Sequence, residues 1–123
     1  MTYEEFNRFC ASLPQTTHVV QWGGSDVWKI GGKVFAIAGW EKSNKPAYSF
    51  KVSELNYNIL EHEEGYRPAP YLASRGMKWI QKYDNHTKID EELTYYLMQS
   101  YHIVSKGLTK KKQKELSLTP HVD

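Results

Sequence analysis

Two glycine pairs, Gly23-Gly24 and Gly31-Gly32, divide one stretch of the chain into three short apolar runs, and nothing else in the sequence limits the fold so narrowly. The runs are residues 18–22, 26–30 and 33–40, built largely from Val, Ile, Trp, Phe and Ala. Runs of this length between glycine pairs read as strands joined in hairpins. Gly31-Gly32 is the stronger signal, because it stands directly between two runs. After a polar loop at 41–45, residues 46–51 give a fourth strand, with Tyr48 and Phe50 on one face and Ser49 and Lys51 on the other. Residues 77–82 give a fifth, followed by a turn at Asp84-Asn85. The intervening 66–76 carries Pro68 and Pro70 and reads as irregular.

Helices flank these strands. Thr2-Tyr3-Glu4-Glu5 is a capping box, in which a Thr hydroxyl and a Glu three residues on satisfy two free amides reciprocally. Phe6, Phe9, Cys10 and Leu13 follow at helical spacing and Pro14 stops the helix, giving helix one over 2–13. Ser53 caps a second helix carrying Leu55, Ile59 and Leu60, which ends near Gly65. Asp90 caps a long third helix, with Glu91 and Glu92 at the positive end of its dipole. Its buried stripe is Leu93, Leu97, Tyr101 and Val104, and Gly107 is a natural C′ residue. A short basic helix or tail occupies 108–118. The order implies an α+β domain, an antiparallel sheet with helices packed on one face and the other face open. Residues 1–118 form a single domain and 119–123 a C-terminal tail. Trp28, Phe35, Ile37, Tyr48 and Phe50 are the expected core. With 9 Tyr and 4 Trp, much of that core must come from rings whose polar edges need partners.

Several chemistries lack their residues. The five histidines are not paired at ligand spacing and there is no Cys-Cys motif, so no metal site is expected. The glycine pairs fit neither a phosphate cradle nor a dinucleotide fingerprint, so no cofactor is expected. Cys10 sits on the apolar stripe of helix one and reads as core. Ser100-Tyr101-His102 are consecutive on a helix and point in different directions, which rules out a relay. The chain is therefore read as a binding module and not an enzyme, with no catalytic residues. No apolar run approaches the roughly 18 residues of a membrane span. Met1 to Leu13 lacks the pattern of a signal peptide, and a single cysteine cannot staple the chain, so a cytoplasmic location is expected.

Charge is segregated although the net value is only +2. Lys29, Lys33, Lys42, Lys45 and Lys51 stand against Glu41 alone, and Arg67, Arg75, Lys78, Lys82 and Lys88 against Asp84 alone. The acids gather at Glu54, Glu61, Glu63 and Glu64 and at Asp90, Glu91 and Glu92. Basic strands and loops suit phosphate contact, with Lys33, Lys42, Lys45, Lys51, Arg67, Arg75, Lys78 and Lys82 as the candidates. Trp40 and the loop 41–45, with Lys42 and Lys45, would form the tip. Lys110, Lys111, Lys112 and Lys114 are too closely spaced and too near the end to serve the core, so the segment after Gly107 is expected to be dispensable for folding.

Four stretches, in their order and spacing, resemble the MmcQ/YjbR family. They are Gly32-Lys33-Val34-Phe35-Ala36, Pro46-Ala47-Tyr48-Ser49-Phe50-Lys51, Arg67-Pro68-Ala69-Pro70-Tyr71-Leu72 leading to Met77-Lys78-Trp79, and the last helix from Leu93 through Ser100-Tyr101. The resemblance implies a twisted antiparallel sheet against helices, similar to CyaY and frataxin, and DNA as partner through a "double wing" of strands and loops. It does not carry frataxin's iron binding, since the region of the acidic ridge offers only Glu4, Glu5 and Asp26.

Two functional readings stand. The first is DNA binding through phosphates with little sequence specificity. The second is a protein- or small-ligand-binding domain whose pocket is lined by segment 67–79, with Tyr71 and Trp79 as contacts. For Trp79 a buried anchor and an exposed stacking ring are both open. Either way the fold should stand without metal, and thermal melts with and without chelator should coincide; a drop of several degrees with chelator would show a structural metal.

Overall fold

The computed structural model describes residues 1–39, 46–70, 72–83 and 90–118. The loop at 40–45, the turn at Asp84-Asn85, Tyr71 and the tail 119–123 lie outside the described residues. Helix α1 (Tyr3–Ser12) opens on the capping box as expected. The Glu5 amide donates to Thr2 Oγ1 at 3.0 Å, and the Thr2 amide donates to Glu5 Oε1 at 2.8 Å. Strands β1 (Thr16–Gln21), β2 (Ser25–Ile30) and β3 (Lys33–Ala38) follow as two hairpins, then β4 (Tyr48–Lys51) and helix α2 (Glu54–Leu60). Gly31 and Gly32 both take positive φ, 60° and 82°, which a two-residue hairpin turn requires.

The rest of the chain supplies β5 (Tyr66–Pro68), a 3₁₀ turn (Ala73–Arg75), β6 (Trp79–Lys82), helix α3 (Asp90–Lys106) and helix α4 (Lys110–Glu115). The strands make one antiparallel sheet in the order β1-β2-β3-β4-β6-β5. The expectation that 66–76 is wholly irregular is corrected by β5. Three residues are too few to show alternation, and Pro68 is tolerated because β5 is an edge strand with one pairing side.

Helices α1, α2 and α3 cover one face of the sheet. Phe6, Cys10, Leu60, Leu93 and Leu97 pack there against Trp28, Phe35, Tyr48 and Phe50. The whole expected stripe of α3 is buried. On α2 only Leu60 is; Leu55 and Ile59 are 69% and 50% exposed. The aromatic core finds polar partners at the chain start, on α1 and in the turn after it. Tyr101 donates to the Pro14 carbonyl at 2.6 Å, the Trp28 indole to Asn7 Oδ1 at 2.8 Å, and Tyr48 to the Met1 carbonyl. Among the described residues no helix is long and apolar enough to cross a membrane.

The segment after Gly107 is not dispensable decoration. Leu108 is buried in the main core, and Leu116 and Leu118 pack against it. A Cβ on Gly31 would lie 2.6 Å from Leu108 Cδ1, so the β2–β3 turn and this segment close on each other. The lysines of α4 remain exposed, while the leucines on either side dock. Lysine density hid that amphipathic pattern.

One irregularity sets the geometry of the sheet. Trp28 pairs with Ala36 but Lys29 with Val34, so Phe35 is an extra residue in β3. This β-bulge turns Phe35 and Ala36 both to the helix face and leaves Val34 and Ile37 on the other. The β3–β4 ladder stops at Ala36 and Phe50. Ser100 of α3, fully buried, fills the gap. Its Oγ donates to the Phe35 carbonyl at 2.6 Å and accepts from the Lys51 amide at 2.9 Å. Ser100→Ala should therefore strand two backbone groups. An unpartnered buried group costs about 1–3 kcal/mol, and urea unfolding should show a loss of that order with an unchanged slope. A loss below about 0.5 kcal/mol would mean that water or the backbone takes over both bonds.

Candidate nucleic-acid interface

The face of the sheet away from the helices is neither bare nor closed. One register row crosses it: Val19, Val27, Ile37, Ser49, Gln81 and Arg67 are paired in succession from β1 to β5. Its β1–β3 half is apolar and its β4–β5 half polar. Arg67 donates to Gln81 Oε1 twice, from Nε at 2.9 Å and from Nη2 at 2.7 Å, and its guanidinium lies 4.7 Å over the ring of Tyr83. Gln81 in turn donates to Ser49 Oγ at 3.4 Å. Gln81 and Ser49 are fully buried, so the row fixes the guanidinium at the edge of this face.

Trp79 lies two residues along β6 from Gln81, on the same face, and is 3% exposed, packed with Val27, Ile37 and Ala69 and flanked by Val34 and Leu72. It anchors the segment that follows β5. The Ala69 amide donates to the Trp79 carbonyl at 3.0 Å and the Met77 amide to the Leu72 carbonyl at 3.2 Å, folding 69–77 back onto the sheet. The face expected to be open is thus partly covered by this loop. The indole Nε1 is buried without a partner among the described residues.

Between loop and sheet runs a cleft of about 480 Å³. Val34, Ile37, Leu72, Met77 and Trp79 give it apolar walls, Trp22 lies along it, and Ile103, Val104 and Gly107 from the end of α3 close it near the Gly32 turn. Lys33 and Lys51 are its cations.

The eight basic candidates separate accordingly. Lys33 and Lys51 meet along the cleft, Arg67 lies on the same face, and Arg75 is exposed at the end of the 3₁₀ turn. Lys78 is half-buried with its ammonium 4.7 Å over the Tyr57 ring of α2. Lys82 is withdrawn from the surface. Alternation puts it on the helix face opposite Tyr48 and Tyr66, 4% exposed, with its ammonium 5.0 Å over the Tyr66 ring, so it is not placed to meet a phosphate. Lys42, Lys45 and Tyr71 lie outside the described residues. Sequence reading left Trp22, Met77 and Lys29 out of the site. Lys29 alternates with Val27 along β2 and could have been assigned to this face, whereas Trp22 sits in a turn at φ 49° and gave no signal.

Acids are absent from this face in the described strands. The single strand carboxylate, Asp26, is held at 2.8 Å by His18 beside Trp28, on the helix side. Burial pushes the Cys10 thiol well above its ordinary range, which keeps it a protonated core residue. Burial, followed by the hydrogen bond to Glu92, likewise raises Tyr66.

These features define an α+β domain with one sheet, one helix-covered face and one basic, partly cleft face. The chain belongs to the YjbR family, whose profile matches residues 11–103. It is similar to Deinococcus radiodurans protein DR2400, of domain family DUF419, at 24% identity and a TM-score of 0.81 over 94% of this chain and 88% of that one. It is also similar to a protein from Pseudomonas syringae at 16% identity and a TM-score of 0.67, over 84% of this chain and 98% of that one. At these identities the likeness is one of fold. No curated protein matches the chain.

Because Trp79 holds the cleft wall to the sheet, Trp79→Ala should lower stability by about 3–5 kcal/mol, read as a much earlier thermal melt. A normal melt would mean that the loop is held by other contacts.

Proposed function

We propose that this chain is a non-enzymatic, cytoplasmic DNA-binding module that contacts phosphates through Lys33, Lys51 and Arg67, with Lys29 beside them, and reads little sequence. The observation that carries this reading is the sorting of charge by face. Of the cations on the described strands, Lys29, Lys51 and Arg67 alternate onto the side away from the helices and Lys33 lines the cleft there, Lys82 alone being withdrawn on the helix side, where the one strand carboxylate is tied up by His18. Glu4, Glu5, Glu54, Glu91 and Glu92 are exposed near the starts of α1, α2 and α3, so a polyanion is repelled from those helix ends and steered away from them. Lysine meets a phosphate as a point charge without a bidentate fork, and Arg8, Arg67 and Arg75 are the only arginines, which favours backbone over base-edge contact. The exposed lysines of α4 add charge of the same kind. The second reading, a small ligand held against segment 67–79, draws on Leu72, Met77 and Trp79 in the cleft wall.

Offered a mixed-sequence DNA as duplex and as single strand, the protein should bind at about 50 mM salt and release steeply as salt rises. With three to five phosphates neutralised, the duplex slope of log K against log salt should be roughly −3 to −5. Lys33→Gln with Lys51→Gln should flatten it by about two units and weaken unrelated sequences equally. Absence of binding to either form would leave the small-ligand reading.

A further inference from the structure

Phosphate contact uses the rim of the basic face and leaves the apolar cleft unused. A duplex keeps its bases stacked inside and presents sugar and phosphate outward, so it cannot fill a concave space walled by Val34, Ile37, Leu72 and Met77. An unpaired strand can. Its bases offer apolar faces on both sides, and its phosphates lie within one nucleotide of them. Proteins that hold single strands combine cations tracking the backbone with side chains on which bases stack. The cleft has both parts. Lys33 and Lys51 border it, and the Trp22 ring, 47% exposed, and Met77, 42% exposed, stand along it. Exposed Trp and Met side chains beside a cleft with apolar walls mark a binding surface. Among the described residues no acidic side chain lines the cleft, so none of them repels a phosphate entering with its base.

We infer that the cleft receives unpaired bases, stacked on Trp22 and Met77 with the adjoining phosphates at Lys33 and Lys51, and that the chain prefers single-stranded to double-stranded nucleic acid. This rests on the DNA-binding reading and gives that site its ligand: a strand whose bases are free.

The test is fluorescence anisotropy with a labelled oligonucleotide of about 20 nucleotides, as single strand, as duplex of the same sequence, and as an abasic strand of the same length. The single strand should bind about tenfold tighter than the other two at one salt concentration. Trp22→Ala should remove most of that margin, Met77→Ala should reduce it, and Trp22→Phe should restore it. Lys33→Gln with Lys51→Gln should weaken all three ligands. Equal binding of single strand, duplex and abasic strand would overturn the inference while leaving phosphate contact intact. So would a preference that survives both Trp22→Ala and Met77→Ala in proteins with a normal melt. If Trp22→Ala does not fold, the abasic strand and Met77→Ala decide the question with the native ring in place. Failure of all three ligands to bind the unaltered protein would instead remove the DNA reading itself.

Discussion

The hydroxyl of Ser100 joins a helix to a broken ladder, and the rest of the architecture depends on that junction. An extra residue in β3 frees the Phe35 carbonyl and ends pairing with β4 one step early, leaving the Lys51 amide without a strand partner. Buried backbone groups must be paired, and here one side chain serves as donor to the first and acceptor to the second. The bond pair sets where α3 crosses the sheet. Leu97 and Tyr101 then fall over Phe35 and Phe50, with Phe35 meeting the Tyr101 ring edge-on and Phe50 stacked on Tyr96. The same placement brings Ile103, Val104 and Gly107 to the end of the cleft, so the core junction and the candidate site share one helix.

The bulge also divides the residues of β3 between the two faces. Val34 and Ile37 are left on the far side, where they floor the cleft beside Trp79. That side would be a flat apolar sheet if nothing lay over it. Instead segment 69–77 folds back over Trp79, and the Ser49-Gln81-Arg67 row rigidifies the neighbouring strands with hydrogen-bonded polar groups. The result is a concave surface with fixed walls and cations at its border. Such a surface suits a ligand that is part apolar ring and part anion, and a nucleotide with its base exposed has both.

The family profile and the two similar bacterial structures agree on a fold whose function they leave unstated. What the domain can bind is therefore set by this chain's own side chains. Similar numbers of cations and acids become a binding surface only when the sheet sorts them. Strand alternation does much of that sorting. It buries Lys82 against Tyr66 while Gln81, one residue earlier, joins the opposite face.

The sequence by itself determined what is encoded locally. The capping box at Thr2 and Glu5, the hairpin at Gly31-Gly32, the Ser53 cap and the stripe Leu93, Leu97, Tyr101 and Val104 all rest on spacings of a few residues, and each stands where those spacings place it. The core positions of Trp28, Phe35, Ile37, Tyr48 and Phe50 followed from their strands. Tertiary structure decided everything that depends on a partner distant in the chain. The insertion of β6 between β4 and β5, the strand at 66–68, the bulge at Phe35 and the docking of Leu108, Leu116 and Leu118 have no local signature, because pairing and packing across the fold supply their stability. The candidate site was half legible for the same reason. Composition marked the basic segments, but one step of strand register decides whether a lysine meets solvent, a cleft or a buried tyrosine ring.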